Sequence, residues 1–83
     1  MEKNEVVRII NQFLTEEIEV EENLIREDAL LKENLGIDSL DFVDVVVIVE
    51  REFGFKIKAE EMANVKTLAD FYNYVYDKQA TFL

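Results

Sequence analysis

An all-α fold is what this 83-residue sequence predicts: a small four-helix bundle with three longer helices, one short helix and a long first loop. Three observations lead there. Apolar residues recur at helical spacing in three segments. Capping residues, Asp38 and Thr67, stand at the heads of two of them. Gly54 follows the middle segment where a helix would stop.

The first helix is expected over residues 3–15. Val6, Val7, Ile10, Phe13 and Leu14 share one face, and Glu2 and Glu5 lie in the first turn, where the helix dipole favours anions. Residues 16–37, "EEIEVEENLIREDALLKENLGI", are acidic with isolated apolar residues. Connections of this length are uncommon in compact domains and often functional. Ile18, Val20, Leu24, Ile25, Leu30, Leu31 and Leu35 should tack it onto the core, with a short helical turn within 28–34.

"DSLDFVDVVVIVEREF", residues 38–53, is β-branched and could be a strand by propensity. Period decides for a helix. Phe42, Val45, Val46, Val49 and Phe53 recur at i, i+3, i+4, i+7 and i+11. Asp38 caps it, with Asp41 three residues on. One or two helical turns fit 59–64. "TLAD" then opens the last helix at Thr67, with Leu68, Phe71, Tyr72 and Val75 as its buried stripe, to about residue 79.

A chain this short holds one domain, residues 1–83. Its 49% apolar content, with six phenylalanines and three tyrosines, suffices for one core and argues against disorder. The formal net charge is −10. Nucleic acid and anionic membrane are therefore unsuited partners, and basic protein surfaces are the natural complement. There is no cysteine, no apolar run of spanning length and no basic-then-apolar leader in "MEKNEVVRII". A cytoplasmic monomer is the expectation.

Ser39 follows Asp38 at the head of the middle helix. A nucleophilic serine needs a general base and an oxyanion hole. The chain has no histidine, no G-x-S-x-G elbow and no S-x-x-K spacing, which argues against self-contained hydrolysis. A helix N-terminus does offer a seat for phosphate, so a phosphodiester on Ser39 would lie well there. The hydroxyl is then a substrate for another enzyme. About 100° per residue places Leu40, Asp44, Val47 and Arg51 opposite the core stripe, with Asp41 and Ile48 at one edge and Val43 and Glu50 at the other. Apolar anchors ringed by acids beside Ser39 read as a docking strip.

The stretch "LGIDSLDFVDVVVIVEREFGFKI", with the later "TLADFYNYV", resembles the acyl carrier protein family. Essentially the whole chain shares the likeness, most specifically residues 35–57. The resemblance implies that Ser39 bears a covalent 4′-phosphopantetheine whose thiol holds acyl groups as thioesters. It implies a carrier, not an enzyme, serving fatty acid, polyketide or related acyl biosynthesis. Asp38 would support a magnesium-dependent phosphopantetheinyl transferase (holo-carrier synthase) in the transfer complex, with no resident metal. Leu40, Asp41, Asp44, Val47 and Glu50 would meet that transferase and the acyl-loading and acyl-processing enzymes. Val45, Val46, Val49, Ile57, Val65, Leu68 and Phe71 would line an acyl chamber. Cargo passage would make residues 55–66 the loosest helical part.

Three positions depart from the family pattern. Arg51 replaces a common acid, Lys58 a frequent proline, and Phe71 a small residue; the ring should narrow the chamber and favour short or specialised acyl groups. Peptidyl or D-alanyl carriers use the same serine and are the alternative, although peptidyl carriers more often show G-G-x-S. An unmodified acidic adaptor or calcium-binding protein ranks below both. No segment matches the EF-hand loop, and Asp38, Asp41 and Asp44 recur at helical rather than loop spacing.

Overall fold

The computed structural model describes residues 1–81. Three α-helices carry the fold: α1 (Lys3–Glu16), α2 (Ser39–Phe53) and α3 (Leu68–Thr81). Two 3₁₀ segments, Glu22–Leu24 and Ala59–Asn64, lie in the connections, and no strand occurs among the described residues. The architecture is the small all-α bundle that the periodicity predicts.

The core is one cluster. Val6, Ile10, Phe13 and Leu14 enter from α1, and Leu68, Phe71, Tyr72 and Val75 from α3. Both stripes follow the i, i+3/i+4 spacing. Phe55 and Ile57 close the cluster from the α2 exit. Two polar contacts tie the outer helices together: the Tyr72 hydroxyl donates to Asn11 Oδ1 and the Lys3 ammonium to Asn73 Oδ1.

The long loop is held by backbone hydrogen bonds as well as by its apolar residues. Beyond the end of α1, Glu19 sits in the left-handed region at φ 64°, and Val20 N–H donates back to Leu14 O at 2.8 Å. The left-handed turn is made here by a non-glycine residue. Val20, Ala29 and Leu35 are buried and Ile18, Ile25 and Leu31 partly so, whereas Leu24 and Leu30 stay exposed. Residues 28–34 form no helix. Leu30 pairs with Thr67 in an isolated antiparallel bridge, and Leu30 O accepts from the N–H groups of Asn34 and Leu35 in a tight turn. The expected helical turn is a single one, closed by the Asn34 N–H to Leu30 O bond, and the loop around it serves α3: Leu68 N–H donates to Ala29 O and Ala69 N–H to Glu27 O. These two donors would otherwise be unpaired at the helix start. Thr67 and Asp70 complete the cap reciprocally, at 3.1 and 3.2 Å.

Helix α2 begins at Asp38, whose Oδ1 accepts from Leu40 N–H at 2.9 Å and Asp41 N–H at 3.0 Å. Gly54 ends it at φ 82°, in the left-handed region that favours glycine. The buried face of α2 differs from the expected stripe. Val45, Ile48 and Val49 are buried, while Phe42, Val46 and Phe53 are half-buried. The stripe is rotated by roughly 60° from the sequence reading, and Ile48 is core rather than edge. The reason is local: Phe42 lines an open cavity instead of the closed core.

Candidate functional site

Ser39 is the first residue of α2 and is exposed. It is the only serine in the chain. Because Asp38 supplies the cap, the neighbouring hydroxyl is not committed to capping. A modifying enzyme can therefore reach it.

Ser39 stands at the mouth of an open cavity of about 930 Å³. The turn before α2 contributes Leu30, Leu31 and Ile37; α2 contributes Phe42; the 3₁₀ segment contributes Ala59, Met62 and Ala63. Val65 closes the apolar part, and Lys32, Glu33, Asp38 and Lys66 form the charged rim. Backbone bonds assemble these pieces. Leu31 N–H donates to Lys66 O and Ile37 N–H to Leu31 O, both at 3.0 Å. Residues far apart in the chain are thus locked around Ser39.

Of the seven residues expected to line an acyl chamber, only Val65 lines this cavity. Val45, Val49, Ile57, Leu68 and Phe71 are buried in the closed core, and Val46 is half-buried against it. The sequence reading missed the contribution of residues 30–33, which the Leu30–Thr67 bridge brings across. No periodicity encodes that pairing. The apolar "ALL" at 29–31 inside an acidic run was the available signal.

The 3₁₀ wall of the cavity is fastened to α3 by one carboxylate. Glu61 accepts from the Tyr74 hydroxyl at 2.7 Å and from Lys78 Nζ at 2.8 Å. These donors hold the Glu61 carboxyl below its ordinary range, Lys78 having the larger effect. Burial, and then the hydrogen bond to Glu61, push the Tyr74 phenol up to about 12. Lys58, where a proline was the family expectation, gives its N–H to the Tyr74 oxygen in a long 3.5 Å contact. Proline has no N–H to give.

On the outer side of α2, Leu40 is 78% exposed, Val43 60% and Val47 59%. Asp44 and Glu50 are exposed beside them, and Asp41 is half-exposed. The strip therefore has three large apolar side chains in water; Val43 belongs to it. The Arg51 guanidinium donates to both Glu17 oxygens, at 3.2 and 2.6 Å, and to Glu52 at 3.0 Å. The hydrogen bond from Arg51 holds the Glu17 carboxyl low.

Among the described residues, no cluster of histidine, cysteine or acidic side chains could hold a metal, and no helix is long and apolar enough to cross a membrane. The site suits a group joined through the serine oxygen. An exposed hydroxyl gives the point of attachment, and an adjoining apolar hollow gives the group a surface to rest on.

Comparison with known proteins agrees with this geometry. The family model described as phosphopantetheine attachment site matches residues 5–75. An acyl carrier protein of Thermotoga maritima is 33% identical over 76 residues, covering 92% of this chain and 94% of the relative. An acyl carrier protein of Saccharopolyspora erythraea is 34% identical over 68 residues, covering 82% and 72% respectively.

Proposed function

This chain belongs to the phosphopantetheine-binding acyl carrier family, and on that premise we propose that Ser39 is the residue that bears its prosthetic group. The protein is an acyl carrier and not a catalyst; it works through a covalently attached 4′-phosphopantetheine. When bound, that group supplies the thiol on which acyl groups travel as thioesters, which is why a chain without cysteine can do sulfur chemistry. Its partners are a phosphopantetheinyl transferase and acyl-processing enzymes.

The observation that carries the assignment is the exposed Ser39 hydroxyl at the mouth of a cavity, beside a cap that Asp38 alone provides. Asp38 supports transfer by fixing the start of α2 and by leaving its second oxygen free of capping duty. Leu40, Val43 and Val47, with Asp41, Asp44 and Glu50, form the docking strip for basic partner surfaces. We assign the protein to fatty acid, polyketide or related acyl biosynthesis in the cytoplasm. Phe71 is 2% exposed and fills the core. The ring leaves little slack inside the bundle, which favours short or specialised acyl groups as cargo.

Supplying the apo protein with a transferase, coenzyme A and magnesium tests the assignment. The expected product carries one phosphopantetheinyl group, and challenge of the loaded protein with acyl-loading enzymes of each class identifies the pathway.

A further inference from the structure

We infer that Lys32 and Lys66 hold the phosphodiester of the arm at the cavity mouth and so lay the arm over the 3₁₀ wall. This inference rests on attachment at Ser39. A helix N-terminus would ordinarily seat a phosphate on its free N–H groups. Here much of that seat is already taken. Asp38 Oδ1 occupies the N–H groups of Leu40 and Asp41, and Phe42 N–H donates to Asp38 O. A phosphodiester, with one negative charge, would also stand next to the Asp38 carboxylate. Its charge has to be met by side chains.

Cations are scarce in this chain, which has nine lysines and arginines against nineteen acids. At the cavity two of these cations, Lys32 and Lys66, share the lining with two acids, Glu33 and Asp38. The placement of both lysines is fixed by backbone. The Leu31 N–H to Lys66 O bond joins their segments, and the Ile37 N–H to Leu31 O bond brings the Ser39 strand of chain beside them. Among the described residues neither lysine forms an ion pair; the bridges involve Arg8, Arg51 and Lys78. Both ammonium groups are free to turn to the phosphodiester.

The experiment uses the holo protein, with loading at Ser39 first verified by mass. The chain has no cysteine, so the arm's thiol takes a nitroxide label selectively. Paramagnetic broadening of the amides of Leu31, Met62 and Val65 then reports the arm. We expect strong broadening in the native protein and a loss of about two- to five-fold in K32Q/K66Q, the effect of removing weak exposed ion pairs. Added salt should reproduce that loss, and K32R/K66R should retain the native broadening. The apo spectra of the variants report their folding, independently of the arm. Absence of broadening at these amides in the native holo protein, or undiminished broadening in K32Q/K66Q, would overturn the inference. Failure of Ser39 to load would instead overturn the attachment reading, and this inference with it.

Discussion

The Tyr74 hydroxyl donates a 2.7 Å hydrogen bond to Glu61 Oε1, which fastens the Ala59–Asn64 wall of the cavity to α3. Lys78 closes the other side of the same carboxylate. The wall contributes no fully buried residue of its own, so little else holds it. In Glu61→Gln, hydrogen exchange over 59–65 should quicken while exchange in α1 stays unchanged. Equal rates in the two proteins would show that packing of Met62 and Val65 suffices.

The same contact predicts the alkaline titration. Tyr74 ionises only near pH 12, because burial and the Glu61 carboxylate both oppose a phenolate. A group whose folded pKa is raised lends stability below its unfolded value, about 10, and loses it as the pH climbs through the folded value. Tyrosinate absorbance should show a late phase that Tyr74→Phe removes. A late phase that survives in that variant would assign it to Tyr72, which burial also shifts upward.

At the acid end, Asp70 is the clearest case. Backbone N–H groups of Thr67 and Lys66 hold its carboxyl below the ordinary range. A depressed folded pKa contributes stability above the unfolded value, near 4, that is lost as the pH falls through the folded one. Asp70→Asn should therefore lose less stability than the native protein between about pH 5 and 2. Parallel acid-unfolding curves would contradict the assignment.

Two left-handed residues give opposite expectations. Gly54→Ala, at φ 82° with open space around the new Cβ, should cost about 1 kcal/mol from backbone strain alone. Glu19→Gly, at φ 64°, should stabilise by about 0.5–1 kcal/mol. Urea denaturation checks both.

The docking strip predicts a separation of stability from recognition. Leu40→Ala and Val47→Ala should change stability by less than about 0.5 kcal/mol, since both side chains are in water. Each should lower kcat/KM for loading by a transferase about five- to ten-fold if it is an interface anchor. Unaltered loading rates would move the docking surface elsewhere.

Helices and caps were legible because each is a local code. Asp38 and Thr67 cap as their spacing says, and the stripes of α1 and α3 are buried as the period requires, with Val7 half-buried at the margin. The face of α2 was legible less well. A wheel gives apolar residues but not which of them meets the core: Phe42, expected in the buried stripe, is half-buried and lines the cavity, and Ile48, expected at an edge, is core. The cavity itself was hidden. It depends on the Leu30–Thr67 bridge and on hydrogen bonds joining residues 31, 37 and 66, contacts between segments with no shared period. The spacing also did not show that Arg51 pairs with Glu17, thirty-four positions away. Long-range ion pairs leave no mark in spacing.

The central claim is that Ser39 takes the phosphopantetheinyl group. Intact-mass analysis of the native chain and Ser39→Ala, each incubated with transferase, coenzyme A and magnesium, tests it most directly. One added group on the native chain and none on the variant is the predicted result. Equal addition to both, or none to a folded native chain, would contradict it.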